Sequence, residues 1–122
     1  MSRLNKKFHQ LNVEGQKAFI PFIMAGFPNI SYSKKLLNKL PELGADIIEI
    51  GMPFTDPMAD GKIIQDAGHA ALEAGFKMES LYQMIEGFRK NDQDTPIILM
   101  GYYNPIHKFG SESFVKTIKA LG

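Results

Sequence analysis

Three carboxylates in one short stretch, EIGMPFTDPMADG, are the side chains of this sequence best suited to chemistry. Glu49 lies within an isoleucine-rich run, and Asp56 and Asp60 lie in the loop after it, which Pro53 and Pro57 stiffen. Burial favours the protonated form of a carboxyl group, so a carboxylate in a hydrophobic strand can give and take a proton near neutral pH. The stretch is therefore a candidate acid–base site, made by a strand and the loop that follows it.

The composition offers little support for other kinds of chemistry. The absence of cysteine excludes thiolate catalysis, disulfides and cysteine metal sites. The three histidines, His9, His69 and His107, are scattered without the spacing of metal ligands. The 14 basic and 13 acidic residues give a net charge of +1, with no basic face for nucleic acid and no acidic tail. Carboxylate chemistry remains the best-supported class.

The elements that must position these carboxylates can be read from the apolar pattern. Three isoleucine-bearing runs of strand length occur at Ala18–Met24, Asp46–Gly51 and Pro96–Gly101, and each is closed by glycine. Such short continuous runs are typical of parallel strands that are buried on both faces. We therefore expect three parallel strands joined by right-handed crossovers.

Helical patterns separate the three expected strands. They cover Ser2–Leu11, the segment from Ser31 to Gly44, Lys62–Ala74, Met78–Arg89 and the residues from Ser111 onward. This alternation fits either an open doubly wound sheet or a closed (β/α)8 barrel. No glycine-rich nucleotide-binding motif follows any strand, which disfavours the doubly wound alternative. A barrel needs about 250 residues, so 122 residues supply only part of one.

Strand alternation decides where Glu49 points. Ile48 and Ile50 share one face of the expected strand, and Ile47 and Glu49 share the other. If helices cover the first face, Glu49 points into a barrel interior near the end of the strand where active sites gather. Alternatively, Glu49 faces water or is neutralised by a lysine. Asp60 could also be a plain N-cap for the next helix, and Asp56 could cap the adjacent proline turn.

The motif Glu49–Gly61 resembles the central motif of the tryptophan synthase alpha subunit family, whose members are (β/α)8 barrels. FIPFIMAGFP (19–28), IIQDA (63–67) and PIILMGYYNPI (96–106) resemble further family motifs, in the same order and at the same spacing. The resemblance covers essentially the whole chain. It implies the N-terminal portion of a TIM barrel, with an N-terminal helix and parallel strands 1 to 3. Residues 1–122 are then one partial domain that stops before strand 4.

The resemblance also implies a reaction, the retro-aldol cleavage of indole-3-glycerol phosphate to indole and glyceraldehyde 3-phosphate, which belongs to tryptophan biosynthesis. The resemblance implies that Glu49 is the general acid–base. It also implies that Asp60 accepts a hydrogen bond from the indole N–H and stabilises positive charge on the ring. Phe22 and Met100 match positions that line the indole pocket, and the alternative for both is an ordinary place in the barrel core. No cofactor or metal is expected in this chain.

A partner is implied by the same resemblance. Two loops match those that meet the beta subunit in an α2β2 complex, where the partner carries pyridoxal phosphate. The matching positions are Pro53, Asp56, Pro57, Tyr102, Tyr103 and Asn104. A non-catalytic module that binds and regulates the beta subunit is the alternative from another class of protein. Another phosphate-binding barrel lyase or isomerase is a third reading.

Two further expectations concern the chain as a whole. The longest apolar run, Ala18–Gly26, is about half the ~20 residues of a membrane span, so we expect a cytoplasmic protein without an anchor. No glycine cluster replaces the family's phosphate-binding loops. A polypeptide of these 122 residues alone is therefore expected to be inactive, because binding energy from the phosphate cannot orient the reacting carbon.

Overall fold

The computed structural model describes all of residues 1–122 and contains one three-stranded parallel sheet flanked by helices. In chain order, the elements are α1 (Arg3–Val13), β1 (Phe22–Met24), α2 (Ile30–Lys39), a short 3-10 helix (Pro41–Leu43), β2 (Ile48–Gly51), α3 (Lys62–Glu73), α4 (Met78–Arg89), β3 (Ile97–Met100), α5 (Tyr103–Phe109) and α6 (Ser111–Leu121). None of the helices has the length and apolar character needed to cross a bilayer.

The strands lie in the order β1-β2-β3, and both neighbouring pairs are parallel. The expected parallel arrangement is therefore confirmed, although each strand is shorter than its apolar run. Glu49 is in register with Phe22 on one side and with Ile98 on the other. Because all three strands run the same way, their carboxyl ends meet at one edge of the sheet.

The two faces of the sheet differ in what covers them. Ile23, Ile48 and Ile50 alternate onto the helix-covered face and belong to the main hydrophobic cluster. Ile47 is also fully buried but is not a member of that cluster, as expected for the opposite face. The alternation predicted for β2 is thus confirmed, and Glu49 lies on the face away from the helices.

One cluster of 15 buried residues fixes the helices on the sheet. Its members are Ile23, Ala25, Leu37, Leu40, Ala45, Ile48, Ile50, Met52, Ala71, Phe76, Leu81, Met84, Ile85, Phe88 and Phe114. A fully buried Leu, Ile, Phe or Met side chain stabilises a fold by about 1.5–3 kcal/mol relative to exposure. The core therefore holds β2 firmly, and Glu49 projects from that strand.

The start and end of α2 differ from the sequence expectation. The helix begins at Ile30 instead of Ser31, and its cap is Asn29, whose side chain accepts a hydrogen bond from the Tyr32 N–H at 2.9 Å. Asn29 has extended backbone angles, which an N-cap requires. The helix ends at Lys39, and the following 3-10 helix ends at Leu43 and is capped by Gly44, whose φ of 94° favours glycine.

Helix α5 was not foreseen from the sequence, where Tyr102–Asn104 was interpreted as a loop. Tyr103 and Asn104 instead form its first turn, and Pro105 is its third residue. Proline is tolerated there because the first N–H groups of a helix have no intrahelical partner. The predicted start of the last helix at Ser111 is confirmed.

Candidate active site

The loops that follow β1, β2 and β3 meet at the carboxyl edge of the sheet. The longest of them joins β2 to α3 and covers residues 52–61, which we call the Asp60 loop. It contains two of the three predicted acidic residues, and the third, Glu49, precedes it in β2. Strand and loop therefore bring the expected carboxylates to the same edge.

Glu49 lies half-buried on the sheet face away from the helices. Its strand neighbours in register are Phe22 and Ile98, so an apolar side chain stands on either side of it. None of the four ion pairs in the chain includes Glu49, which excludes neutralisation by a lysine of residues 1–122. Its carboxylate therefore has no cationic partner within residues 1–122.

Asp60 lies at an open pocket of about 280 Å³ at the carboxyl edge. The pocket is mostly apolar, and its ten lining residues are Phe22, Met24, Gly51, Met52, Ala59, Asp60, Ile64, Met100, Gly101 and Tyr102. Asp60 is the only charged residue among them. The structure therefore brings together Asp60, Phe22 and Met100, as well as Tyr102, which the sequence had suggested only for a partner surface.

Glu49 is not among the residues that line this pocket. It precedes Gly51, which does line it, by two residues of the same strand. Residues i and i+2 of a strand point to the same face and lie about 6–7 Å apart. Glu49 consequently lies one step deeper on the interior face than the pocket floor, next to Phe22.

The pocket floor depends on the missing side chain of Gly51. A β-carbon at Gly51 would lie 2.5 Å from Cζ of Phe22 and 3.1 Å from Sδ of Met24. The first distance is far below normal carbon–carbon contact of about 3.5–4.0 Å. Glycine at this position therefore allows the Phe22 ring to lie directly over the strand and form one wall of the pocket.

The carboxylate of Asp60 does not cap α3. The N-cap residue is Gly61, and no side chain provides a cap hydrogen bond there, so the plain N-cap interpretation of Asp60 is wrong. Asp60 is half-buried, forms no ion pair, and precedes the amino end of α3, where the helix dipole favours negative charge. Its carboxylate oxygens remain available to a ligand.

Two side chains hold the tip of the Asp60 loop: Gln65, which the sequence analysis did not single out, and Tyr102, which it suggested only for a partner surface. The amide Nε2 of Gln65 donates to the carbonyl oxygens of Pro57, at 3.1 Å, and of Asp60, at 2.8 Å. The hydroxyl of Tyr102 accepts from the Ala59 N–H at 2.8 Å. Backbone carbonyls and amides leave no residue-type signal in a sequence, although Gln65 does fall within the motif IIQDA.

The residues expected to face a partner are not equally accessible. Asp56 is exposed and its carboxylate accepts from the Thr55 hydroxyl at 2.7 Å, while Pro57 is half-buried. Tyr103 is 61% exposed, and Asn104 beside it is exposed as well. Pro53 is buried. The exposed members therefore lie on the Asp60 loop and in the first turn of α5.

Asp92, which lies outside this site, has a shifted pKa. Partial burial raises the pKa of Asp92, but hydrogen bonds from Thr95 and Asp94 and the charge of Arg89 outweigh it, and the resulting pKa is below the ordinary value. Asp92 stands between α4 and β3, at the amino edge of the sheet. No group of three or more His, Asp or Glu side chains could hold a metal ion.

An arc of parallel strands with helices on one face and carboxylates at its carboxyl edge is the arrangement of (β/α)8-barrel proteins. Solved structures agree with this class. The alpha subunit of tryptophan synthase from Legionella pneumophila matches with a TM-score of 0.97 at 38% identity, over 100% of this chain and 47% of that one. Tryptophan synthase from Mycobacterium tuberculosis, in its aminoacrylate-bound form, matches with a TM-score of 0.93 at 30% identity, over 100% and 49%.

Sequence comparisons give the family. The family model for the tryptophan synthase alpha chain matches residues 8–122. The tryptophan synthase alpha chain of Granulibacter bethesdensis is 55% identical over 122 residues, which are 100% of this chain and 44% of the relative. This chain belongs to the tryptophan synthase alpha chain family and matches the N-terminal half of its barrel. It spans about half the length of the relatives it matches.

Proposed function

We propose that this chain supplies the catalytic carboxylates of a lyase that cleaves indole-3-glycerol phosphate to indole and glyceraldehyde 3-phosphate. What supports the proposal is one juxtaposition at the carboxyl edge of the sheet. Asp60 shares an apolar pocket with Phe22 and Met100, and Glu49 projects from the same face beside Phe22. Family membership gives the reaction that such a pair of carboxylates would perform.

In the proposed mechanism, the two carboxylates have separate tasks. Glu49 protonates the indole ring carbon that bears the side chain, and the resulting indolenine accepts the electron pair of the breaking C–C bond. The neighbouring hydroxyl loses its proton as its carbon becomes the aldehyde, and Glu49 receives that proton. Asp60 accepts a hydrogen bond from the indole N–H and stabilises the positive charge that the protonated ring carries.

The pocket fits an aromatic ring better than a polar substrate. Phe22 and Met100 provide apolar walls, and Asp60 provides one acceptor among them. Ligand pockets commonly combine apolar walls with a few polar groups that fix orientation. An indole ring placed against Phe22 could direct its N–H toward Asp60, which leaves the reacting carbon for Glu49.

Partner and cofactor belong to the proposal as well. We propose that the exposed surface around Asp56, Tyr103 and Asn104 meets a tryptophan synthase beta subunit, together with the less exposed Pro53, Pro57 and Tyr102. The complex would be an α2β2 tetramer, and pyridoxal phosphate would be bound by the beta subunit only. The reaction assigned to this chain needs no cofactor or metal. We also propose a cytoplasmic location, for which family membership is the sole argument.

The test uses a barrel that is complete. Residues 1–122 are joined to the remainder of the Granulibacter bethesdensis relative, which is similar over their whole length; we call this chain the completed barrel. Indole release from indole-3-glycerol phosphate is measured for the parent and for Glu49→Gln and Asp60→Asn. General acid–base catalysis contributes about 10²–10⁴-fold, so Glu49→Gln should lower kcat by at least a hundredfold.

Matched controls separate chemistry from folding. Glu86→Gln and Asp94→Asn make the same substitutions at exposed positions outside the site, and both should keep the parent activity. A completed barrel that folds but releases no indole would overturn the lyase assignment. Undiminished activity of Glu49→Gln would show that Glu49 is not the acid–base. Beta-subunit binding without any cleavage would favour the non-catalytic module instead.

A further inference from the structure

Gln65 makes an unusual pair of contacts with the Asp60 loop. It lies half-buried in the first turns of α3, and its side-chain amide donates to the Pro57 and Asp60 carbonyl oxygens at 3.1 and 2.8 Å. A primary amide has two N–H groups, so it can make both bonds at the same time. One side chain thus joins two points of the loop that are three residues apart.

The two carbonyls enclose the tip of the loop. Met58 and Ala59 lie between them, and Met58 is 87% exposed. The Asp60 N–H also donates to the Pro57 carbonyl, at 3.1 Å, which closes a tight turn under the tip. Gln65, which belongs to α3, therefore anchors the turn through a hydrogen bond to the main chain of Asp60.

The opposite side of the tip is held by Tyr102. Its hydroxyl accepts from the Ala59 N–H, and its ring packs on Phe54 with 5.4 Å between the ring centroids. The Asp60 loop is thus braced between α3 and the segment after β3. Tyr102 also lines the pocket, whereas Gln65 contacts the tip of the loop from outside the pocket.

We infer that Gln65 is a positioning residue for Asp60, which it acts on through the main chain. This inference rests on the proposed function of Asp60. A hydrogen bond to the Asp60 carbonyl oxygen restricts movement of the main chain from which the carboxylate side chain extends. The second bond, to Pro57, links that restriction to the exposed part of the loop.

The activity test compares two glutamines in the completed barrel. Gln65→Met keeps the length of the side chain and removes the donor, and Gln83→Met makes the same change at an exposed position of α4. A small displacement of a reacting group can lower the rate by up to about a hundredfold. We expect Gln65→Met to lower kcat about ten- to a hundredfold with a smaller change in KM, and Gln83→Met to leave both unchanged.

A double-mutant cycle with Asp60→Asn separates positioning from general destabilisation. If Gln65 acts through Asp60, Gln65→Met should cause little further loss once Asp60 is asparagine. An equal loss in both backgrounds would overturn the inference, as would a Gln65→Met variant that matches Gln83→Met in kcat. Thermal unfolding of each variant shows whether the protein remains folded at the assay temperature.

Amide hydrogen exchange supplies a readout that does not depend on catalysis. The Asp60 N–H is protected by its bond to Pro57, so Gln65→Met should raise its exchange rate at least tenfold, while amides of the core strand β2 keep theirs. Unchanged exchange at Asp60 would refute the anchoring role even if activity falls. If the parent completed barrel releases no indole, the proposed function fails, and exchange still decides whether Gln65 holds the loop.

Discussion

Replacing Gly51 with alanine tests whether the pocket floor requires a residue without a β-carbon. The added β-carbon would lie 2.5 Å from Cζ and 3.1 Å from Cε2 of Phe22, and 3.1 Å from Sδ of Met24. The thioether can move aside because it ends a flexible side chain. The Phe22 ring is rigid, however, and must retreat by roughly 1 Å to regain normal contact.

The size of the effect follows from that displacement. A side chain forced about 30° from its rotamer costs about 0.5–1.5 kcal/mol, and overpacked sites typically cost about 1–3 kcal/mol in total. We therefore expect Gly51→Ala to lower the free energy of unfolding of the completed barrel by about 1–3 kcal/mol. Because Phe22 forms a pocket wall, KM for indole-3-glycerol phosphate should rise as well.

Urea unfolding followed by circular dichroism, together with indole release, measures both effects. Gly87→Ala is the matched control, because a β-carbon there meets nothing within 4 Å and the residue lies inside α4. Alanine is the better helix former by about 0.8–1.0 kcal/mol, so this variant should gain stability. If the Gly51→Ala protein is as stable and as active as its parent, a β-carbon at residue 51 does not displace the Phe22 ring.

Acid stability, helix capping and open strand edges provide three more tests. The pKa of Asp92 is lowered in the fold, so its stabilising contribution is complete above the ordinary value of 3.8 and is lost as pH falls through the lower folded value. In urea unfolding at a series of pH values, Asp92→Asn should lack this component. Asn29→Ala removes the cap of α2 and should lower the free energy of unfolding by about 0.5–2 kcal/mol, whereas an unchanged value would contradict the cap. The isolated 122-residue polypeptide should release no indole and should self-associate through the free edges of β1 and β3, which sedimentation and the indole assay can check.

The sequence was most informative where burial makes apolar residues recur at the period of a strand or a helix. The alternation of Ile48, Glu49 and Ile50 predicted which side chains of β2 face the helices, because a parallel strand with one helix-covered face leaves only two arrangements. The apolar stripes of α3 and α4 were equally clear, and their predicted bounds agree with the structure to within a residue.

The sequence was less informative where single hydrogen bonds decide the local structure. Asn29 and Ser31 are both good caps, and only the backbone angles show that Asn29 fills the role. Helix α5 was missed because the residues around Pro105 resemble a turn, although proline is acceptable in a first helical turn. The contact of Gln65 with two carbonyls depends on how the loop folds back, which residue spacing does not reveal.

The consecutive order of the three strands has a consequence for how such a chain is made. Each strand pairs with the one synthesised just before it, and β2 and β3 each follow their crossover helices. No strand has to wait for a distant segment, so the arc can assemble while a ribosome is still adding residues. In any longer polypeptide that carries this segment, later strands would meet a template already formed at β3, and Glu49 and the Asp60 loop would be in place before the barrel closes.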